Sequence, residues 1–108
     1  MTESYEVVGK GIKTTLHTSQ ARIYFWLLPG AVVSAHEAKG FSLYRQKAWQ
    51  LRQDALKKGM LVDVGDVLLV TETLVFDSIA SAVSFILGNS RSGDVAQRGK
   101  RSLTGSNM

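Results

Sequence analysis

The sequence contains no cysteine. Disulfide bonds, thiolate metal ligands and a cysteine nucleophile are therefore excluded. Residues 1–6 are polar and have neither the basic start nor the apolar run of a signal peptide, so we expect none. The longest apolar runs, residues 23–28 and 67–70, are too short to cross a bilayer. We therefore expect a cytoplasmic protein without a membrane segment.

Motifs that carry catalysis are scarce as well. His17 and His36 lie in different segments, with no carboxylate or second ligand at metal spacing. The acidic residues are scattered, and no pair of them suggests general acid–base chemistry. Serine is plentiful, but no Gly-x-Ser-x-Gly nucleophile elbow occurs. We expect no catalytic residue, no metal site and no cofactor, and we interpret the chain as non-enzymatic.

What is present is the composition of one ordinary globular domain. The chain has 108 residues, of which 44% are hydrophobic and 20% charged. This length can bury a modest core. After about residue 95 the sequence is too poor in apolar residues to add to a core, so we expect one domain over residues 1–94 and a flexible basic tail over residues 95–108.

Alternation and β-branched residues predict a set of short strands. Residues 5–8 and 12–16 form the first two, and residues 9–11 between them are read as a turn or bulge. The apolar run at residues 21–28 predicts a central strand buried on both faces. Gly65-Asp66 divides two further runs, which predicts a hairpin over residues 60–71, and a short strand follows at residues 74–76.

Two helices are predicted by spacing and by capping residues. The first begins near Ser42, carries Tyr44, Ala48, Leu51 and Ala55 on one face, and ends at Gly59. The second is capped by Asp77 or Ser78 and ends at Gly88. The predicted fold is α+β, a small, mainly antiparallel sheet with two packed helices. The predicted core consists of Tyr5, Ile23, Phe25, Leu27, Leu51, Val67, Leu69, Phe76, Val83 and Ile86.

Basic residues gather beyond the second helix. The formal net charge is +4, and the cations after Gly88 are Arg91, Arg98, Lys100 and Arg101, with Asp94 as the only acid there. The loop at residues 88–93 follows a helix, so it is not a P-loop. Its backbone amides and Arg91 can still bind an anion as a nest. The alternative is a solvated tail that serves solubility alone.

A second candidate surface lies on the first helix. Arg45 and Arg52 flank Trp49, and a cationic and aromatic stripe of this kind can contact phosphates and bases. The same residues can equally form an aromatic packed between arginines against a neighbouring element. From the sequence we favour packing.

Residues 74–93 resemble the closing motif of a bacterial domain of unknown function that follows GIY-YIG nuclease domains, and of the related RAMA (restriction enzyme adenine methylase associated) domain. Phe76, Ser78, Ala82, Gly88, Ser90 and Gly93 stand at matching positions. The order of elements over residues 39–93 is similar too. The departures are Ile79 in place of a proline, Ser92 in place of an asparagine, and Asp94 in place of a tryptophan that usually follows the last glycine.

The resemblance implies a module associated with DNA, because these domains accompany nucleases and methylases. We therefore expect a non-enzymatic module that binds nucleic acid, with DNA as the expected partner, or that associates with it. The alternative is a small protein-interaction module that regulates or inhibits a DNA-processing or defence complex. The sequence leaves the oligomeric state open.

Overall fold

The computed structural model describes residues 2–9, 11–19 and 21–88, and this part of the chain forms two antiparallel sheets and three helices. The first sheet has the order β1-β2-β3-β7 and the second the order β4-β6-β5. The elements in chain order are β1 Thr2–Gly9, β2 Ile12–Ser19, β3 Phe25–Leu27, β4 Val32–Ser34, α1 Phe41–Tyr44, α2 Gln46–Lys57, β5 Leu61–Asp63, β6 Val67–Val70, β7 Leu74–Phe76 and α3 Ile79–Leu87.

The α+β class predicted from the sequence is confirmed, although the strands divide between two sheets. The longest pairing is the hairpin of β1 and β2, which runs from Thr2 opposite Ser19 to Gly9 opposite Ile12. Gly11, with φ of 78°, lies in a turn, one of the two conformations predicted for this segment. The second sheet contains the predicted hairpin around Gly65, with β5 antiparallel to β6.

The two sheets are connected through β2 and β4. The buried hydroxyl of Thr14 donates a hydrogen bond to the carbonyl oxygen of Val32. Helix α3 then packs on β4 and on the inner face of the first sheet, and α2 packs on α3 and β5. The core is therefore enclosed between the sheets and these two helices.

The ends of the helices follow the predicted capping chemistry, with one exception. Ser78 is the N-cap of α3, where its hydroxyl accepts a hydrogen bond from the backbone N–H of Ser81 at 3.1 Å. Gly88 ends α3 in the left-handed region, with φ of 68°. The exception is the first predicted helix: Ser42 does not cap it, because its N-cap is Gly40 with no side-chain hydrogen bond, and it is interrupted at Arg45 (φ −131°) and so forms α1 and α2.

The core contains most of the predicted residues. Tyr5, Phe25, Leu27, Phe76, Val83 and Ile86 are buried, and Leu51 is half-buried. Two parts of the prediction are wrong. In β6 the buried residues are Leu68 and Val70, whereas Val67 and Leu69 are half-buried. Tyr44 is exposed, because the break at Arg45 separates it from the buried face of α2.

The segment over residues 21–28 is the largest correction. Only Phe25–Leu27 is a strand, because the chain turns before it, where the N–H of Arg22 donates to the carbonyl oxygen of Ser19. Ile23 is 59% exposed and therefore lies outside the core. The segment has apolar side chains on both faces of the sheet, but only one face is covered by the core. Aromatic residues therefore remain exposed on the other face.

Candidate functional site

The outer face of the four-stranded sheet is the most distinctive surface of the described chain. Side chains alternate along each strand, so those between the buried residues point away from the core. This surface, called here the open face, consists of Glu6, Lys13, Thr15, His17, Tyr24, Trp26 and Val75. Each of these side chains is at least partly exposed. An antiparallel sheet with one face in the core and one in solvent commonly shows this alternation.

A row of rings crosses the open face. His17 on β2 is the register partner of Trp26 on β3, and Trp26 is the partner of Val75 on β7. The rings of His17 and Trp26 stack with their centroids 6.3 Å apart and an angle of 18° between their planes. Desolvation by partial burial lowers the pKa of His17 below its ordinary value of 6.5, so the imidazole is neutral at pH 7.

A pocket adjoins one end of this row. It has a volume of about 280 Å³ and lies between the β2 side chains of Lys13, Thr15 and His17 and the segment from Leu28 to Val32. Among the described residues that line it, Lys13 alone carries a full charge at pH 7. The Lys13 ammonium is 3.0 Å from a carboxylate oxygen of Glu6, and its side chain is 66% exposed. The pocket therefore combines an exposed cation, a hydroxyl and an aromatic ring.

A groove runs along the other end of the row, between the edge strand β7 and helix α2. Its volume is about 300 Å³, and its lining is formed by Tyr24, Lys47, Leu51, Val75, Phe76 and Asp77. Lys47 and Asp77 form an exposed ion pair with a distance of 2.6 Å. The hydrogen bond from Lys47 holds the pKa of Asp77 below its usual range. The groove is thus mainly apolar and carries one balanced pair of charges.

The stripe predicted on the first helix is not an exposed surface. Arg52 is 1% exposed, and its guanidinium donates to the carbonyl oxygens of Phe85 at 2.8 Å and Ser34 at 2.7 Å. It also lies over the rings of Phe41 and Phe85. Burial lowers the pKa of Arg52, while its ion pair with Glu37 opposes that shift. The expectation that Arg52 contacts a phosphate is therefore corrected, because its donors are already occupied inside the core.

The other two members of the stripe are half-buried. Trp49 packs against the core cluster, and Arg45 lies at the break between α1 and α2. The spacing of Arg45, Trp49 and Arg52 does place them on one side of the helix, as the sequence indicated. That side turns towards α3 and β4, so for Arg52 the packing alternative describes the structure.

The remaining predicted contacts lie outside the described residues. These are Arg91, Arg98, Lys100 and Arg101, together with the loop after Gly88 and the predicted boundary near residue 95. Their charge can still be counted from the sequence. The described residues contain eight Lys and Arg and eight Asp and Glu, so they are formally neutral. The net charge of +4 belongs entirely to Lys10, Asp94 and those four cations.

Sequence reasoning missed the open face as a site. From the sequence, His17 was considered as a metal ligand, and the run at residues 21–28 was expected to be buried on both faces. The sequence pattern that indicates this face is the alternation of Lys13, Thr15 and His17 with the buried residues between them along β2. The register that brings Trp26 beside His17 could not be read from the sequence, because the strands that it joins are of unequal length.

Two other kinds of site are absent from the described residues. They contain no group of three or more His, Asp or Glu residues placed to hold a metal ion. None of the helices in this part of the chain has the length and apolarity needed to cross a membrane.

Comparison with known proteins gives one match. A family model described as a domain of unknown function (DUF4357) matches residues 5–101, which is most of the chain. No curated protein and no solved structure matches. The match covers every strand and helix of the fold apart from the first residues of β1.

Proposed function

The chain belongs to the family described as a domain of unknown function (DUF4357), and from this premise we propose that it is a non-enzymatic module that binds nucleic acid in the cytoplasm. The observation that carries the proposal is the row of His17, Trp26 and Val75 across the open face. An aromatic ring on an exposed sheet is a surface on which a base can stack. Such a contact contributes about 1–3 kcal/mol per base.

Charge supports the same proposal from a different part of the chain. A polyanion is attracted mainly through Lys and Arg contacts to its phosphates. Because the described residues are formally neutral, that attraction falls to the basic residues after Gly88. In the proposed arrangement the open face stacks bases, while Arg91, Arg98, Lys100 and Arg101 contact the backbone.

The resemblance of residues 74–93 to domains that accompany GIY-YIG nucleases and restriction-associated methylases is further support. Those domains accompany proteins that act on DNA, and the resemblance therefore favours nucleic acid as the partner. The proposal includes no catalytic role.

The test is a salt titration of binding to single-stranded DNA, single-stranded RNA and duplex DNA. We expect Trp26→Ala to lower affinity about tenfold or more without changing the salt slope, because it removes stacking and no charge. Replacing all four basic residues after Gly88 by alanine should instead flatten the slope on duplex DNA, by about one unit for each phosphate that the variant no longer neutralises.

Tyr44→Ala is the matched control for Trp26→Ala. Tyr44 is 73% exposed, lies on α1 and lines neither the pocket nor the groove. Its replacement should leave binding unchanged, and thermal melting should show that each variant is folded. If the native chain binds none of the three nucleic acids at low salt, the proposal is wrong.

The groove beside β7 favours a second candidate, a protein-interaction module that regulates or inhibits a DNA-processing or defence complex. An edge strand next to an apolar groove can accept an extended segment of a partner as an added strand. Saturable binding to one protein that persists at high salt, and that is weakened by Val75→Lys, would favour this candidate over nucleic acid.

A further inference from the structure

The pocket between β2 and the segment from Leu28 to Val32 lies beside the ring row but is not part of it. We infer that it is the phosphate subsite for a single-stranded nucleic acid whose unpaired base stacks on Trp26. This inference rests on the proposed function, and it names both the form of nucleic acid and the residues that hold its backbone.

The floor of the pocket is built from rigid parts. Thr14 is buried and its hydroxyl is committed to the carbonyl oxygen of Val32, which holds β4 beneath β2. Gly30 is fixed as well, since its N–H donates to the carbonyl oxygen of Val70 at 2.8 Å and the N–H of Val70 donates to Ala31. The cleft therefore exists before any ligand binds, so a ligand does not have to order it.

The polar groups of the pocket are donors suited to an anion. Lys13 and Thr15 are exposed and stand two residues apart on one face of β2, which places their Cα atoms about 7 Å apart. One ammonium and one hydroxyl can both reach a phosphate diester. The described residues of the pocket lining include no Asp or Glu, so its charge complements a monoanion.

The ion pair between Lys13 and Glu6 does not block this role. Glu6 is the register partner of Thr15 on the neighbouring strand, so its carboxylate stands beside both donors, but it does not line the pocket. Both side chains reach solvent, with 66% of Lys13 and 33% of Glu6 exposed, and a pair of this kind contributes little to stability. The ammonium can therefore turn to a phosphate at small cost.

The position of His17 selects a single strand. His17 lines the pocket and also stacks on Trp26, so the pocket that holds the donors is directly next to the row of rings. A base that contacts this row must first leave the stack of its own strand. An unpaired base can do this, whereas a base inside a duplex cannot. A nucleotide with its phosphate near Lys13 and its base on Trp26 uses both halves of the site.

The experiment compares Lys13→Ala, Thr15→Val and the control Lys57→Ala in a salt titration with fluorescent oligothymidylate and with a duplex of the same length. Lys57 is an exposed cation in the last turn of α2 and does not line the pocket. We expect Lys13→Ala to lower the single-strand salt slope by about 0.7 and the affinity several-fold. Thr15→Val should weaken binding with no change of slope, and Lys57→Ala should change neither.

The outcomes separate this inference from the function on which it rests. If the native chain binds but Lys13→Ala and Lys57→Ala behave alike, the phosphate subsite is wrong and the nucleic-acid function stands. If the native chain binds duplex and single strand with equal affinity, and Trp26→Ala changes neither affinity, the assignment to single-stranded nucleic acid is wrong. No binding by the native chain overturns the function itself. Lys13 and Thr15 are exposed, so the variants should fold, and circular dichroism checks this.

Discussion

Arg52 shows how one residue connects separate parts of the fold. Its guanidinium joins α2 to Ser34 at the end of β4 and to Phe85 and Ile86 in the last turn of α3. The carbonyl oxygens at the C-terminus of a helix lack partners within the helix, and a buried cation there satisfies them and opposes the negative end of the helix dipole. Glu37 adds a carboxylate 3.5 Å from the guanidinium. The charge is therefore buried with partners on several sides, as burial of an arginine requires.

Gly88 is a second residue whose identity the packing requires. Its φ of 68° favours glycine, and a Cβ atom there would lie 2.5 Å from the carbonyl oxygen of His36. The carbonyl oxygen of Gly88 also accepts a hydrogen bond from the N–H of Ala38 at 2.7 Å. The segment before α1 is thus held directly against the end of α3.

We predict that Gly88→Ala lowers the free energy of unfolding by at least about 3 kcal/mol, since left-handed strain and overpacking add. Gly59→Ala is the control, because Gly59 has φ of 77° but no described atom within 4 Å of the added Cβ. The control should be destabilised by only about 1–2 kcal/mol, from strain. Urea denaturation measures both. Equal destabilisation would mean that the segment around His36 shifts freely to accommodate the methyl group.

At the scale of elements, the short strands differ most from expectation. An apolar run such as Val67–Val70 carries no alternation, so the sequence does not show which residues face the core. The strand register decides which residues face the core, because Val70 pairs with the buried Leu61 and therefore faces the same side. The local sequence predicted one continuous helix from Ser42, whereas the structure breaks it at Arg45, with the buried Phe41 of α1 beneath the guanidinium of Arg52 in α2.

Helix α3 is the element that the rest of the fold encloses. Every residue from Ala82 to Leu87 is buried, and Ile86 is 0% exposed. A helix that is apolar almost all round belongs in a core. Its position between the two sheets agrees with this rule.

Ile86→Asp is predicted to cost several kcal/mol, because it places an unpaired charge in the core. The control is Ala80→Asp on the same helix. Ala80 is exposed and lies in the first turn, where a carboxylate interacts favourably with the helix dipole, so its effect should stay within about 0.5 kcal/mol. Thermal or urea unfolding compares the two. Near-native stability of Ile86→Asp would contradict the burial of this helix face.

In the whole molecule, the net charge and the hydrophobic core lie in different parts of the chain. The described residues are formally neutral and contain the core, whereas the net charge of +4 is the sum of +3 after Gly88 and +1 from Lys10. Salt can therefore weaken the attraction between the basic segment and a polyanion, while the stability of the neutral domain stays nearly constant.

We predict that deleting residues 99–108 leaves the melting temperature nearly unchanged, because this segment has too little apolar content to add to the core. The same deletion removes Lys100 and Arg101, so the salt slope of nucleic-acid binding should fall. Differential scanning calorimetry and the salt titration test the two halves of the prediction separately. A decrease of many degrees would show that the segment packs on the domain.

The sequence by itself determined the features that depend on neighbouring residues. These are the α+β class, the hairpin at Gly65, a cap at Asp77 or Ser78 for α3 and the glycines that end α2 and α3, and each follows from local backbone chemistry. The separation of basic residues from the apolar core was also visible, since charge is counted directly along the chain.

Only the tertiary structure decided which face of each element is covered. Arg52 could be exposed or buried until α3 and β4 supplied its carbonyl partners, and Trp26 could be core or surface until the register placed it beside His17. Strand register and helix contacts join residues far apart in sequence, so no local pattern encodes them. The open face exists because α3 covers the other side of the sheet that contains β3, and that is a property of the assembled fold.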